Sequence, residues 1–271
     1  MKPTFLGLFV LLLVAACSVA GPSNQTAWQD RAEPQDIIAE SLASSVQLFA
    51  QREVGRRAGS GVVLDVDDGR ALVLTAGHLL VPGAEQSVVA IAPGSGARLE
   101  ASLLLLDEAA DIALFEVEGL AAPPVRLKEE ARLGDPVWVV SFPWGRRGTF
   151  VTGVVSQIAD RDGRPGIPIA GPVGLIDAAV SYGTSGGGVF DARSGRLLGI
   201  VRGYRTAKIT LPGGDAGKLE FPIAGETTVI PTTEILCRLG DAGLETNTAL
   251  PLAEGATACR DVQMERAEAA R

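Results

Sequence analysis

Histidine, cysteine and aromatic residues are scarce in this sequence. The 271 residues include one His and three Cys, and aromatic residues make up 5% of the chain. So few His and Cys side chains cannot supply the clustered ligands of a zinc site, and we predict neither a metal nor a cofactor. Basic residues are also in deficit, with 24 Lys and Arg against 32 Asp and Glu. This balance argues against a nucleic-acid-binding protein, which normally presents a basic face.

Long hydrophobic runs are lacking as well. The apolar run from Phe5 to Ala16 has twelve residues, whereas a helix that spans a bilayer needs about 20. Because Lys2 precedes this run, we predict that residues 1–17 are a signal peptide and not a membrane span.

The end of this signal peptide resembles a bacterial lipobox. It reads Leu-Val-Ala-Ala-Cys over residues 13–17. The resemblance implies that Cys17 is lipidated, becomes the new N-terminus and anchors the protein to a membrane. Ser18 next to it implies outer-membrane sorting, and so a place in the cell envelope facing the periplasm. The alternative is an ordinary signal peptide cut nearby, with Cys17 discarded or left as a free thiol.

Two cysteines remain after the signal peptide, Cys237 and Cys259. In an oxidising compartment they could form one disulfide. This bond would tie a C-terminal helix to the tail that follows it. Two unpaired buried thiols are the alternative.

Twelve short apolar runs, separated by Gly, Pro and Asp, occupy most of the chain. Six precede the connector Ala121–Pro124 and six follow it. Runs at this spacing favour an all-β sandwich or a pair of barrels. The predicted strands are 45–50, 60–66, 71–76, 87–92, 99–106 and 112–117, then 136–142, 149–158, 174–180, 188–190, 197–204 and 227–231.

Helices are predicted only at the two ends of this strand-rich region. Asp36 is a plausible N-cap for a short helix over 36–42, and Thr232 or Thr233 begins a second helix that ends near Gly240. Two loops rich in Gly and Pro are either functional or plain surface excursions. The predicted segments after the signal peptide are a tether with a short helix (18–43), a domain (44–243) and a tail (244–271). The domain consists of two halves at about 44–120 and 131–231 and a helix at 232–240. The two long loops are 160–172 and 206–225.

A glycine-rich loop around Ser185 is the first candidate functional site. Gly183 precedes this serine by two residues and three glycines follow it. Glycines let the main chain approach a ligand closely, and several N–H groups can then point at one spot. An ordinary glycine-rich turn is the alternative for this pattern taken alone.

A serine nucleophile needs a base, and the base needs a group that orients it. His78 is the chain's only histidine and lies just past a strand-like run, after Ala-Gly. Asp111 lies where a polar turn enters an apolar run, so it can be enclosed. Asp107 is the competitor, but Glu108 beside it suggests a solvated turn. We therefore expect His78 to be the base and Asp111 to be the carboxylate that orients it.

These residues carry a resemblance to trypsin-like serine peptidases. The segments Thr75–His78, Asp111–Leu114 and Gly183–Gly187 look like the three catalytic segments of that family, in the family's order of His, Asp and Ser. Gly59–Val63 resembles the bacterial HtrA-type branch. The resemblance covers about residues 44–240.

The resemblance implies two packed six-stranded antiparallel β-barrels with the site in the cleft between them. Ser185 is then the nucleophile, His78 the general base, and Asp111 the orienting acid. The N–H groups of Gly183 and Ser185 would form the oxyanion hole. The base of the primary specificity pocket would be Ala179, which favours small or medium apolar side chains in the substrate.

Two departures from the family pattern carry expectations of their own. Digestive members have an aspartate immediately before the nucleophile, and this chain has Thr184, so we expect no zymogen switch of that kind. HtrA-type members usually carry a C-terminal PDZ domain, and the residues after Gly240 are too few for one.

The leading hypothesis is therefore a lipid-anchored serine endopeptidase of the cell envelope that acts on proteins or peptides. The alternative from another class is a catalytically weak or inactive trypsin-fold protein that works as an envelope binding or chaperone module. An esterase-like hydrolase on the same fold is a third possibility.

Overall fold

Strands rich in β-branched and aliphatic residues, the types that pack well on a pleated surface, make up most of the regular structure. The protein was analysed as a computed structural model that describes residues 33–53, 55–159, 167–210 and 218–244. The first six strands are β1 (Ser45–Gln51), β2 (Arg56–Asp67), β3 (Arg70–Ala76), β4 (Val88–Ile91), β5 (Arg98–Asp107) and β6 (Ile112–Glu118). They close into an antiparallel barrel in the order β1-β2-β3-β6-β5-β4.

Eight further strands follow the connector between residues 119 and 130. They are β7 (Ala131–Arg132), β8 (Pro136–Ser141), β9 (Thr149–Ile158), β10 (Ala170–Gly171), β11 (Val173–Asp177), β12 (Gly188–Asp191), β13 (Leu197–Thr210) and β14 (Lys218–Pro231). Six of these close a second antiparallel barrel in the order β11-β14-β13-β12-β8-β9, and β7 pairs with β10 in a small sheet. The prediction of an all-β fold with two six-stranded barrels is confirmed.

Two α-helices flank the barrels, α1 (Pro34–Ala43) and α2 (Thr232–Asp241). The predicted N-cap of α1 is wrong. Glu33 occupies the cap position and Asp36 lies in the first turn, because Pro34 fits the first helical position, where its missing N–H costs nothing. None of the described helices is long and apolar enough to cross a bilayer.

The loop predicted over residues 206–225 is also wrong in large part. Within it, β13 continues to Thr210 and β14 begins at Lys218. The two strands pair from Thr206 with Pro222 to Thr210 with Lys218. Each strand supplies the hydrogen-bond partner that the other needs, and local sequence does not display this pairing.

Three apolar clusters form the core, one inside each barrel and one between them. The third cluster brings Val62, Leu74 and Ile112 of the first barrel against Phe190 and Ile230 of the second. Residues of α2, including Ile235, Leu236 and Leu239, close the same cluster. The two barrels therefore share buried surface, and the cleft described below lies at the edge of this contact.

Several predictions concern residues outside the described part of the chain. The signal peptide, the lipidated Cys17 with Ser18, and the tail with Cys259 all fall there. Cys237 is buried within α2. Its pairing with Cys259 and the lipid anchor stay predictions.

Candidate active site

His78 and Asp111 meet at neighbouring strand ends of the first barrel. His78 lies in a short 3-10 turn after β3, and Asp111 immediately precedes β6. Gly77 makes this approach possible, because a Cβ there would lie 3.0 Å from the Ile112 nitrogen. Asp111 itself has a φ of 62°, in the left-handed region that aspartate tolerates better than most residues.

The contact between these two side chains is close and directional. The Nδ1 atom of His78 lies 3.0 Å from each carboxylate oxygen of Asp111. The His78 backbone N–H also donates to Asp111 Oδ1 at 2.8 Å. The imidazole is 35% exposed and the carboxylate 17%. The acid is thus enclosed, and the imidazole can still be reached from solvent.

Asp107 plays a different part. Its Oδ1 accepts a hydrogen bond from the Ala110 N–H at 2.9 Å, which closes the turn before Asp111. Its Oδ2 lies 3.5 Å from Nε of Arg238 in α2. Of the two candidate carboxylates, the structure places Asp111 against His78.

Ser185 faces the same cleft as His78. It lies in the loop between β11 and β12, half-buried, at a cavity of about 260 Å³ between the barrels. Among the described hydrogen bonds none joins the Ser185 hydroxyl to His78, and catalytic contacts of this kind often tighten only when substrate binds. The cleft is lined by Arg57, Ala58, Gly59, His78 and Leu79 from the first barrel and by 180–185 and 201–204 from the second.

The N–H groups of Gly183 and Ser185 are oriented because the carbonyl in the same peptide unit as each N–H accepts a hydrogen bond. Trp144 N–H donates to the Tyr182 carbonyl at 2.8 Å, which fixes the peptide that carries the Gly183 N–H. Gly187 N–H donates to the Thr184 carbonyl at 2.8 Å, which fixes the peptide that carries the Ser185 N–H. Within the described residues, neither of the two N–H groups so fixed has an acceptor.

Ser60 of β2 fastens this loop to the first barrel. Its N–H donates to the Ser185 carbonyl at 2.9 Å, and its hydroxyl donates to the Gly183 carbonyl at 2.8 Å. The same hydroxyl accepts from the Phe142 N–H at 2.8 Å. Thr75 Oγ1 donates to the Ser60 carbonyl at 2.6 Å. Both donors of Ser60, its N–H and its hydroxyl, therefore hold carbonyls of the Ser185 loop.

Gly186 is required at its position by two independent constraints. Its φ is 79°, and a Cβ there would overlap the Ser60 carbonyl oxygen and the Thr75 hydroxyl. The glycines after Ser185 therefore do more than form a turn. They allow the loop to lie directly against the first barrel.

The remaining predicted residues have mixed positions. Thr184 is buried, and its hydroxyl accepts from the Ser181 N–H at 3.3 Å within the loop. Ala179 is exposed and does not line the cleft, whereas its neighbour Val180 does. The proposed role of Ala179 in specificity therefore gains no support from the geometry.

Two arginines at the site were not found from the sequence. Arg57 Nη1 donates to the His78 carbonyl at 2.7 Å. Arg202 Nη2 donates to the Ala110 carbonyl at 2.7 Å, and its Nε lies 3.6 Å from Asp111 Oδ2. No local pattern marks these residues. Ser60, by contrast, lies in the Gly-Ser-Gly segment that carried part of the resemblance.

A partly buried ion pair supports the strand that follows Ser185. Lys128 Nζ lies 2.5 Å from Oδ2 of Asp191, whose side chain is 5% exposed. Burial acts to raise the pKa of Asp191, but hydrogen bonds from Lys128, the Arg193 N–H and Ser194 outweigh it and hold the pKa below 3.8. Asp191 is therefore charged near neutral pH.

The described residues do not form a metal-binding cluster. Among the described residues, no group of three or more His, Cys, Asp or Glu side chains is placed to hold an ion. The polar side chains at the cleft include the Ser185 hydroxyl and the His78 imidazole with its Asp111 carboxylate. Two guanidinium groups, those of Arg57 and Arg202, also line it.

Comparison with known proteins assigns the family. Residues 59–200, more than half of the chain, match the trypsin-like peptidase domain. The chain belongs to this family. The sequence-based prediction of a trypsin-like serine peptidase is thereby confirmed at the level of the family.

Relatives within the family include two HtrA-type proteins. Serine protease HTRA1 of Xenopus laevis is 32% identical over 174 residues, which cover 60% of this chain and 34% of that protein. A probable periplasmic serine endoprotease, DegP-like, of Buchnera aphidicola is 30% identical over 204 residues, which cover 71% of this chain and 40% of that protein. The chain thus spans less than half the length of these curated relatives.

Among solved structures, the Rv3671c protease from M. tuberculosis in its active form is similar in fold. The TM-score is 0.59 at 23% identity, and the match covers 89% of this chain and 96% of that one. Identity this low supports the shared two-barrel architecture and nothing finer.

Proposed function

We propose that this chain is a serine endopeptidase in which Ser185 is the nucleophile, His78 the general base and acid, and Asp111 the residue that orients His78. The observation that carries the proposal is the His78–Asp111 pair, joined at 3.0 Å, in the same cleft as Ser185. A hydroxyl becomes an effective nucleophile when an oriented base can take its proton.

In the first half of the reaction, Ser185 Oγ attacks the scissile carbonyl carbon while His78 Nε2 takes the hydroxyl proton. Asp111 accepts the hydrogen bond from Nδ1–H and stabilises the imidazolium without taking the proton. His78 then gives this proton to the leaving amine, the C–N bond breaks, and an ester forms on Ser185. Water, activated by His78, hydrolyses that ester in the second half.

The negative charge on the substrate oxygen needs donors that are already in place. The N–H groups of Gly183 and Ser185 suit this role, because hydrogen bonds behind each peptide hold them and no described residue accepts from them. The loss of one such donor in related chemistry costs about 3 kcal/mol of transition-state stabilisation.

Substrates are proposed to be proteins or peptides with a small or medium apolar side chain at the cleavage site. Val180 and Val201 line the cleft, and among the described residues no carboxylate does, which disfavours Arg or Lys at that position. A cell-envelope location is part of the proposal. It is supported by the periplasmic relative and by the lipobox-like sequence that ends at Cys17.

Labelling with a fluorophosphonate probe tests the proposal. The probe reacts with an activated serine, so the wild-type protein is expected to be labelled in minutes and Ser185→Ala not at all. His78→Ala should react at least a hundredfold more slowly. Ser156→Ala, at an exposed position on β9, is the matched control and should be labelled like the wild type.

The alternative of an inactive binding module gives a different result. A wild-type protein that is labelled no faster than Ser185→Ala would contradict the peptidase. A labelled protein that cleaves small esters but no denatured protein would point to an esterase.

A further inference from the structure

The charge of the cleft is opposite in sign to that of the whole chain. The chain carries a formal charge of −8. Of the residues that line the cleft, Arg57 and Arg202 are cationic and none is a carboxylate. A peptide drawn into the cleft thus meets fixed positive charge on a protein that otherwise favours cationic partners.

Arg202 is not the group that would attract a substrate charge. Its Nε lies 3.6 Å from Asp111 Oδ2, and its Nη2 is engaged by the Ala110 carbonyl at 2.7 Å. The Asp111 carboxylate therefore already opposes its charge.

Arg57 is different because its partner is neutral. Its Nη1 donates to the carbonyl oxygen of His78 at 2.7 Å. Within the described part of the chain, no carboxylate forms an ion pair with it. A guanidinium has five N–H donors in a planar fork that matches a carboxylate. Arg57 is half-buried and held in place at the wall of the cleft, and no carboxylate of the described residues pairs with its charge.

We infer that the cleft prefers peptide substrates with an Asp or Glu side chain close to the cleaved bond, and that Arg57 determines this preference. The inference rests on the proposed peptidase function. A carboxylate that reaches Arg57 finds a pre-oriented, partly desolvated cation, so the pair is stronger than an ion pair formed at an exposed surface. Salt weakens such an attraction.

Paired peptides test the inference. A peptide that the enzyme cleaves, taken from a digest of a denatured protein, is resynthesised with Glu or Gln at each of the three positions on either side of the cleaved bond. For at least one position, kcat/KM of the Glu peptide is expected to exceed that of the Gln peptide about fivefold or more at low ionic strength. The ratio should fall as NaCl is raised from 50 to 500 mM.

Variants of Arg57 assign the effect. In Arg57→Gln the Glu/Gln ratio is expected to approach one, and Arg57→Lys should keep part of it. Because Arg57 also supports the His78 carbonyl, the ratio within each variant is the readout and the absolute rate is not. Arg98→Gln, which removes an exposed arginine of β5 away from the cleft, should leave the ratio unchanged.

Three results would overturn the inference in distinguishable ways. Equal rates for Glu and Gln peptides at all positions in the wild type would exclude the preference. A ratio that persists in Arg57→Gln would exclude Arg57 as its source. If no denatured protein is cleaved and the fluorophosphonate probe does not react, the peptidase function fails as well.

Discussion

Ser60 shows how one residue can hold a site that two barrels share. It belongs to β2 of the first barrel, yet its N–H and hydroxyl contact the carbonyls of Ser185 and Gly183 in the second. These carbonyls lie beside the two N–H groups proposed to bind the substrate oxygen. A small displacement of such donors is expected to slow the reaction strongly, because misplacement by about 1 Å can lower a rate a hundredfold.

We therefore expect Ser60→Ala to lower kcat about tenfold or more while KM changes little. The Gly183 carbonyl would lose its donor, and the Phe142 N–H would lose its acceptor. Steady-state kinetics on a peptide substrate, with a melting temperature for each protein, measure the effect.

Ser45→Ala is the matched control for this prediction. Ser45 in β1 is as buried as Ser60, and its hydroxyl donates to the Ser41 carbonyl at 2.7 Å. Among the described residues, this hydroxyl makes no hydrogen bond to the Ser185 loop. The Ser45→Ala variant should lose about as much stability as Ser60→Ala and keep the kcat of the wild type. Equal losses of kcat in the two variants would show that Ser60 has only a structural role.

At this scale, the sequence predicts residues that belong to short motifs. His78, Asp111 and Ser185 were found because each lies in a recognisable local segment, and the structure brings His78 and Asp111 into contact. Arg57 and Arg202 could not be found in this way. Their roles depend on which side chains face one another across the cleft, and this follows only from the packing of the two barrels.

At the scale of elements, the connector between the barrels supports β12, the strand that follows the Ser185 loop. The Lys128 N–H donates to the Leu197 carbonyl at the start of β13 at 2.8 Å, and the Leu197 N–H donates to the Arg126 carbonyl at 2.7 Å. The Lys128 carbonyl accepts from the Thr232 hydroxyl of α2 at 2.8 Å. The Lys128 ammonium reaches Asp191 at the end of β12. One partly buried ion pair thus joins the connector to the second barrel.

Asp191→Asn is expected to lower the free energy of unfolding by about 2 kcal/mol at pH 7, because it removes a buried charge-assisted hydrogen bond. The folded-state pKa of Asp191 lies below its ordinary value of 3.8. The stabilisation is therefore fully present above that value and is lost as the pH falls through the folded-state pKa. Urea unfolding at pH 7, 5 and 3 measures this dependence.

Asp68→Asn, at an exposed turn between β2 and β3, is the control and should change stability by less than about 0.5 kcal/mol. The difference between wild type and Asp191→Asn should shrink towards pH 3. A difference that stays constant from pH 7 to 3 would rule out the charge of Asp191 as its cause.

The sequence predicts strands that have their own apolar pattern. It does not predict strands that form only because a neighbouring strand supplies their hydrogen-bond partners. The strand core of β3 is a continuous apolar run that can be read directly. Gly and Pro residues between 206 and 225 predict a loop, whereas β13 and β14 pair there from Thr206 with Pro222 to Thr210 with Lys218. The order of this hairpin comes from pairing, which no single segment displays.

At the scale of the whole molecule, the barrels depend on each other through the apolar cluster between them. Phe190 of β12 is 1% exposed. It packs in a cluster with Val62, Leu74 and Ile112 from the first barrel. The even division of twelve apolar runs predicted two barrels, but the residues that would join them could not be read from the pattern. Both faces of these strands are apolar, so periodicity does not say which face meets the other barrel.

Phe190→Ala is expected to lower the free energy of unfolding by about 3 to 5 kcal/mol, because it leaves a cavity between the barrels. Amides of β3 and of β13 should lose hydrogen-exchange protection together, since both barrels line the cavity. Phe221→Ala, which truncates an exposed ring on β14, should have little effect. If the β3 amides of Phe190→Ala kept wild-type hydrogen-exchange protection while the β13 amides lost theirs, the barrels would unfold independently.

The order of the strands along the chain also governs when the cleft can exist. His78 and Asp111 come from the first barrel, and Ser185 lies before β13 and β14. The second barrel closes only when β14 pairs with β11 and β13. A chain still emerging from the ribosome therefore lacks an assembled cleft until residue 231 has been made. If the chain is the proposed peptidase, its active cleft is therefore assembled only after nearly all of the second barrel has been synthesised.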